Sequence, residues 1–145
     1  MMKISETTFG LLKPDCIARG LQEQVLRYIS DHGFTILDQR RMRLSENDVL
    51  FLYGFHSGKS FFPVLLAYMT MDDSIPFVAS LSNGRDAITE LSHLVGNFIP
   101  SLADSDTIRG KYGIRRYFDI DAIQNVIHSS SDPESTAREI GYFFP

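Results

Sequence analysis

His128 closes the short apolar run Asn125-Val126-Ile127-His128, and behind it come the small residues Ser129-Ser130-Ser131 and then Asp132-Pro133-Glu134. A neutral imidazole is a competent nucleophile near neutral pH. Asp132 followed by Pro133 reads as a helix start, because the carboxylate can accept from orphan amides of the first turn while proline sits where no amide is needed. His128 is therefore expected between a strand end and a helix N-terminus, a place that favours negative charge and suits a group handling phosphate. Taken alone, a core or surface histidine explains the residue more simply. Two other stretches carry chemistry of a matching kind. Lys13-Pro14-Asp15 ends the almost continuously apolar run from Thr7 to Leu12. Proline breaks the ladder there, and Lys13 projects from the strand end, either as a point charge for an anion or as an ordinary solvated lysine. In Lys59-Ser60-Phe61-Phe62-Pro63 the paired phenylalanines are a hydrophobic staple, or one of them is a protruding shelf on which any base can stack.

The elements that must position these residues follow from periodicity. The Thr7 to Leu12 run has the character of a strand buried on both faces. Leu21, Val25 and Ile29 recur at helical spacing, with Gly33 as the stop. Phe34 to Arg43 reads as a second strand, apolar first and then basic. Its Arg40, Arg41 and Arg43 are more simply a solvated strand end or an intersubunit patch than an anion site. Ser45 with Asp48 opens a helix that carries Tyr53 and ends near Ser57-Gly58. A second short helix begins around Pro63, which makes a helical hairpin with Phe61 at its tip. Pro76 to Leu81 is a third strand. Asn83 and Asp86 open a helix striped by Ile88, Leu91 and Val95 and closed by Gly96. From Asn97 to Gln124 periodicity is lost, over a length that suggests a functional loop. Asn125 to His128 is the fourth strand, and the last helix runs from about Pro133 to Tyr142. Two strand–helix–strand units predict an α+β ferredoxin-like sandwich. Its four-stranded antiparallel sheet is covered by helices on one face, and the helical hairpin is inserted into that core.

Composition sets the outer limits. The 145 residues suit a single domain, 1–145, with 43% hydrophobic and 22% charged residues, ordinary values for a chain with a proper core. A formal net charge of −4 argues against a general nucleic-acid or anionic-membrane surface, so any anion site must be built locally. One cysteine, Cys16, allows neither an intrachain disulfide nor a cysteine-cluster metal site and reads as a packing residue. No signal core or membrane-spanning run is evident, which fits a cytoplasmic protein. His32, His56 and His93 are assigned no chemical role.

Taken together, the pieces resemble one family. Thr7 to Asp15, Ser60-Phe61-Phe62-Pro63, Thr107-Ile108-Arg109-Gly110, Asn125-x-x-His128-x-Ser130 and Glu139 occur in the order found in nucleoside diphosphate kinase, which exchanges the terminal phosphate between nucleotides. The resemblance spans nearly the whole chain. It implies a ferredoxin-like fold, nucleoside di- and triphosphates as partners, and ping-pong transfer through a phosphohistidine on His128. It also implies that Glu139 orients the imidazole, that Ser130 is the small hydroxyl beside it, and that Tyr53 reaches the transferring group. Lys13 and Arg109 become the phosphate ligands, Asn125 with Lys13 the sugar ligands, and Phe61 with Leu65 the base site. Magnesium would travel with the nucleotide, since no carboxylate cluster for a protein-held ion is apparent. Family members are usually homo-oligomers, hexamers or tetramers built from dimers.

The match has gaps. The family's second phosphate-binding arginine falls at Ser92, its phosphate-binding threonine at Phe98, and the aspartate that usually follows the histidine by three residues is Ser131, with Asp132 one place later. The segment from Lys111 to Gln124 is longer than the family norm by roughly six residues. It carries Arg115 and Arg116, either of which could replace the missing positive charge. The alternative to an active kinase is a catalytically impaired module on the same fold that binds nucleotide or a protein partner.

Overall fold

The computed structural model describes residues 6–113 and 123–145. Arg115 and Arg116 lie outside the described residues. In chain order the elements are β1 (Thr7–Leu12), α1 (Pro14–Ala18), α2 (Gln22–Asp31), β2 (Thr35–Gln39), β3 (Met42–Arg43), α3 (Glu46–Tyr53), α4 (Phe62–Thr70), β4 (Asp73–Ser80), α5 (Ala87–Val95), α6 (Ile108–Tyr112), β5 (Ile127–Ser129) and α7 (Pro133–Phe143). The strands stand in the order β2-β4-β1-β5, with the two-residue β3 also paired to β4. All pairings are antiparallel, as the ferredoxin-like reading requires.

Helices cover both faces of this sheet, not one. On the first face Leu12, Phe77 and Ile127 meet Val25 and Ile29 of α2 and Leu91 and Val95 of α5. On the second, Phe9 and Leu11 meet Val49 and Leu52 of α3, Phe62, Leu65 and Met69 of α4, and Phe143 of α7. The cause lies in β1 itself. Successive side chains of a strand point to opposite faces, so an unbroken apolar run presents two apolar surfaces, and each must be buried. The inserted hairpin and the C-terminal helix form the second layer.

The stretch expected as one strand from Phe34 to Arg43 is broken at Arg40 and Arg41, and β4 starts before Pro76 instead of at it. These two departures have one origin. The amide and carbonyl of a strand residue point to the same side, and the Pro76 carbonyl accepts from the Arg40 amide at 3.1 Å. The donor that proline lacks therefore faces the gap between β2 and β3, where no regular ladder needs it.

Capping signals fared better than strand ends. Ser45 and Asp48 form a reciprocal capping box on α3, and Asp132 does the same with Ser135 on α7, with Pro133 in the first turn. Two short helices escaped the periodicity, since five residues are too few to show one: α1, begun by Pro14, and α6, capped by the Thr107 side chain accepting from the Gly110 amide at 3.1 Å. Cys16 is buried in the first layer, where burial above all pushes its thiol up to about 12. Among the described residues no helix is long and apolar enough to cross a membrane.

Candidate active site

His128 sits in the middle of β5 rather than at its end, directly opposite Leu11 of β1. That pairing decides its surroundings. Leu11 points into the second layer, so His128 does too. Its ring lies edge-on to Phe9 at 6.2 Å and to Tyr53 at 5.7 Å. Its Nε2 meets the Glu139 carboxylate of α7 in a short contact. The histidine side chain keeps 19% exposure while that of Glu139 keeps 4%. The carboxylate is thus shielded on the inner side of the ring and Nδ1 is the nitrogen left over. With the proton on Nε2 and donated to Glu139, the lone pair of Nδ1 is free to attack.

The tyrosine at the end of α3 closes the same space. Among the described residues the buried Tyr53 hydroxyl has no hydrogen-bond partner, and neither has that of Ser130. Orphaned buried hydroxyls cost free energy unless a ligand satisfies them. Burial first, and the Glu139 charge behind it, push the Tyr53 phenol up, against the opposing pull of Arg109, so the group stays a donor.

Lys13 reaches the site from the end of β1. Its buried Nζ donates to the Ile123 carbonyl at 3.1 Å and to Asn125 Oδ1 at 2.7 Å, and stands 5.6 Å from the centre of the Tyr53 ring. Burial, then the Arg109 charge, lower its pKa from 10.5 to about 7, with Asp15 pulling the other way. Arg109 on α6 donates to the carbonyls of Gly96 at 3.1 Å, Asn125 at 3.2 Å and Ile127 at 2.6 Å. Three of its N–H donors are thereby committed to backbone, and among the described residues the remaining two of the five a guanidinium carries meet no acceptor and can serve a ligand. Burial lowers its pKa to about 10, and it stays a cation at neutral pH. Gly96 is required at this junction. Its φ is +90°, and a Cβ would stand 2.5 Å from the Thr107 hydroxyl that caps the arginine's helix.

The paired phenylalanines divide their roles. Phe62 is 7% exposed and anchors α4 in the second layer, while Phe61 is 37% exposed and held by an edge contact to His56 at 5.1 Å. Leu65 is buried in the cluster beneath, where it supports α4 from below. Ser92 is exposed, as is Phe98; the Phe98 carbonyl accepts from Asn125 Nδ2 at 2.8 Å, so this position serves the asparagine through its backbone.

Asp15 and Tyr68 were not anticipated. The Val126 amide donates to the Asp15 carboxylate at 3.3 and 3.2 Å to its two oxygens, the Tyr68 hydroxyl donates to Oδ1, and the Asp15 amide donates back to that hydroxyl at 3.0 Å. Val126 has a φ of 76°, and the Ile127 amide bonds the Asn125 carbonyl across it at 2.9 Å. This is a γ-turn with a left-handed centre, rare even for flexible residues. For a β-branched side chain such backbone costs about 1–3 kcal/mol and persists only where its surroundings hold it. The sequence signal was an aspartate two residues after Lys13, read only as part of a strand terminator.

A family profile described as "Nucleoside diphosphate kinase" matches residues 6–145. A protein named nucleoside diphosphate kinase from Carboxydothermus hydrogenoformans is 39% identical over 96% of this chain and 87% of its own length. One of the same name from Methanosphaera stadtmanae is 36% identical over 97% and 87%. Among solved structures, a halophilic nucleoside diphosphate kinase from Halobacterium salinarum in complex with CDP aligns with a TM-score of 0.85 at 30% identity, over 96% of this chain and 87% of that one. The apo enzyme from Encephalitozoon cuniculi aligns with a TM-score of 0.84 at 26% identity, over 97% and 89%. The order of the strands, the two helical layers and these likenesses agree: the chain belongs to the nucleoside diphosphate kinase family.

Proposed function

We propose that this protein transfers the terminal phosphate of a nucleoside triphosphate to a nucleoside diphosphate through a phosphohistidine on His128. Nδ1 attacks the γ-phosphorus, the bond to the bridging oxygen breaks, and the diphosphate leaves with that electron pair. A second diphosphate then takes the phosphoryl group by the reverse of the same step, which makes the kinetics ping-pong. The observation that carries the reading is the contact of His128 Nε2 with the buried Glu139 carboxylate. It fixes the tautomer and stabilises the imidazolium that forms as the phosphorus–nitrogen bond closes.

The other residues take roles that their chemistry suits. Tyr53 and Ser130 offer buried donors to the transferring group and its neighbours. Lys13 and the two remaining donors of Arg109 bind phosphate oxygens, as a point charge and a planar fork respectively. Asn125, already bonded to Lys13, takes the sugar hydroxyls with it, and Phe61 offers its face to the base. Magnesium enters as part of the nucleotide substrate, bridging its phosphates. A cytoplasmic homo-oligomer, hexamer or tetramer of dimers, completes the reading. The outer strand β2, whose Leu37 is 55% exposed, supports association of the chain with other copies.

The test is incubation with magnesium and γ-labelled ATP, then isolation of the protein. Acid-labile, base-stable label that is discharged by any of several nucleoside diphosphates supports the proposal. A protein that binds ADP but takes up no label is the impaired module instead.

A further inference from the structure

We propose that Asp15 is a positioning residue for the transfer step, acting through the Val126 amide with Tyr68 as its own orienting partner; the proposal rests on His128 being the nucleophile. Asp15 lies at the start of α1, with 6% exposure. A buried carboxylate is kept only where its oxygens are satisfied. Here both accept from one amide, that of the left-handed Val126, and one also accepts from the Tyr68 hydroxyl. Burial first and then the Asp15 charge push that phenol up, so the hydroxyl remains protonated and keeps the carboxylate turned toward β5.

The turn it clasps lies immediately before the nucleophile. Val126 is followed by Ile127 and then His128, so its φ sets the direction in which β5 leaves and the face on which the imidazole arrives. Among the described residues, the Lys13 amide donates to the Val126 carbonyl at 2.8 Å, and Arg109 donates to the carbonyls of Asn125 and Ile127, so these bonds hold the segment by its carbonyls. The Asp15 carboxylate is the acceptor for the amide at the centre of the turn. A nitrogen that must reach phosphorus in line loses rate steeply when displaced by a fraction of an ångström. The Asp15 charge also raises the pKa of Lys13 and of Arg109, so removing it touches the phosphate ligands too, whereas Tyr68→Phe leaves that charge in place and loosens only its orientation. Through the Val126 amide Asp15 governs the chemical step, and Tyr68→Phe isolates that role.

The experiment uses the full chain labelled with nitrogen-15 and three variants: Asp15→Asn, which keeps shape and removes charge, Tyr68→Phe, which keeps the ring, and Asp15→Ala. Hydrogen exchange at the Val126 amide and the ring nitrogen shifts of His128 are read alongside single-turnover phosphorylation and ADP affinity. The expected result is exchange at Val126 at least tenfold faster in each variant, with Gly10 and Phe77 still protected. His128 ring signals should shift and phosphorylation should slow by about tenfold or more in each variant, with ADP affinity unchanged within twofold in Tyr68→Phe. The double variant Asp15→Asn with Tyr68→Phe should be no slower than Asp15→Asn alone, since the two act in series. Unchanged Val126 exchange and His128 signals would overturn the proposal. So would, in Tyr68→Phe, a loss of rate matched by a loss of ADP affinity or by general loss of protection. If the wild-type protein takes up no phosphate, the functional reading fails by itself, and the exchange and ring signals still decide whether Asp15 sets the position of His128.

Discussion

Lys13 and Asn125, 112 positions apart, are bonded to each other through Nζ and Oδ1 at 2.7 Å in a buried setting. The two residues that would share the sugar and phosphates are thus held together by a direct bond, and the lysine has a pKa brought down to about 7 by burial and Arg109.

That depression has a signed consequence. Between pH 7 and 10.5 the folded protein binds fewer protons at Lys13 than the unfolded chain, so this group's contribution to stability rises with pH across that window. A polyanionic nucleotide favours the ammonium and raises the folded pKa. Binding of ADP at pH 8 is expected to take up protons, and the affinity to weaken as pH rises further. Calorimetry in two buffers of different ionisation enthalpy measures the uptake directly; identical heats in both would mean that Lys13 is already charged.

Substitution of His128 is expected to abolish the phosphoenzyme, but the choice of replacement matters. Among the described residues His128 is the hydrogen-bond partner of the buried Glu139 carboxylate. His128→Ala strands that charge and is expected to lower the thermal midpoint, whereas His128→Gln retains a donor and should stay close to wild type in stability. Label retained on histidine in either variant would move the nucleophile elsewhere.

Glu139→Gln preserves volume and removes charge. The interaction with the developing imidazolium is worth about 1.5–3 kcal/mol, so phosphorylation should slow roughly ten- to hundredfold. ADP affinity, measured by titration, should hardly change; an effect confined to affinity would leave Glu139 a packing role.

Phe61→Ala should raise the Michaelis constants for purine and pyrimidine nucleotides alike, by about 1–3 kcal/mol of lost stacking. Steady-state kinetics with guanine and cytosine nucleotides separates this from edge reading, which would show as a loss for one base alone.

A stability test lies in the sheet. Gly10 pairs with Phe77 across β1 and β4, and a Cβ on Gly10 would stand 2.3 Å from the end of that buried ring. Gly10→Ala is expected to cost about 1–3 kcal/mol by overpacking, read as a lower denaturation midpoint.

Much was legible in the sequence because it is local. The caps at Ser45 and Asp132, the stripe of α5 and the two-sided burial of β1 all depend on residues within a few positions of one another, and so does the paired Phe61-Phe62. The tertiary structure alone decided which face each strand shows to which layer. That His128 looks into the second layer follows from its register opposite Leu11, a partner 117 positions away by numbering, and a shift of one residue would have turned it to the other face. The same holds for Arg109, whose donors serve the backbone before β5, and for Asp15, whose partner is an amide 111 positions along the chain. Hydrogen bonds of this range leave no spacing in a sequence, because loop closure and not periodicity brings their ends together.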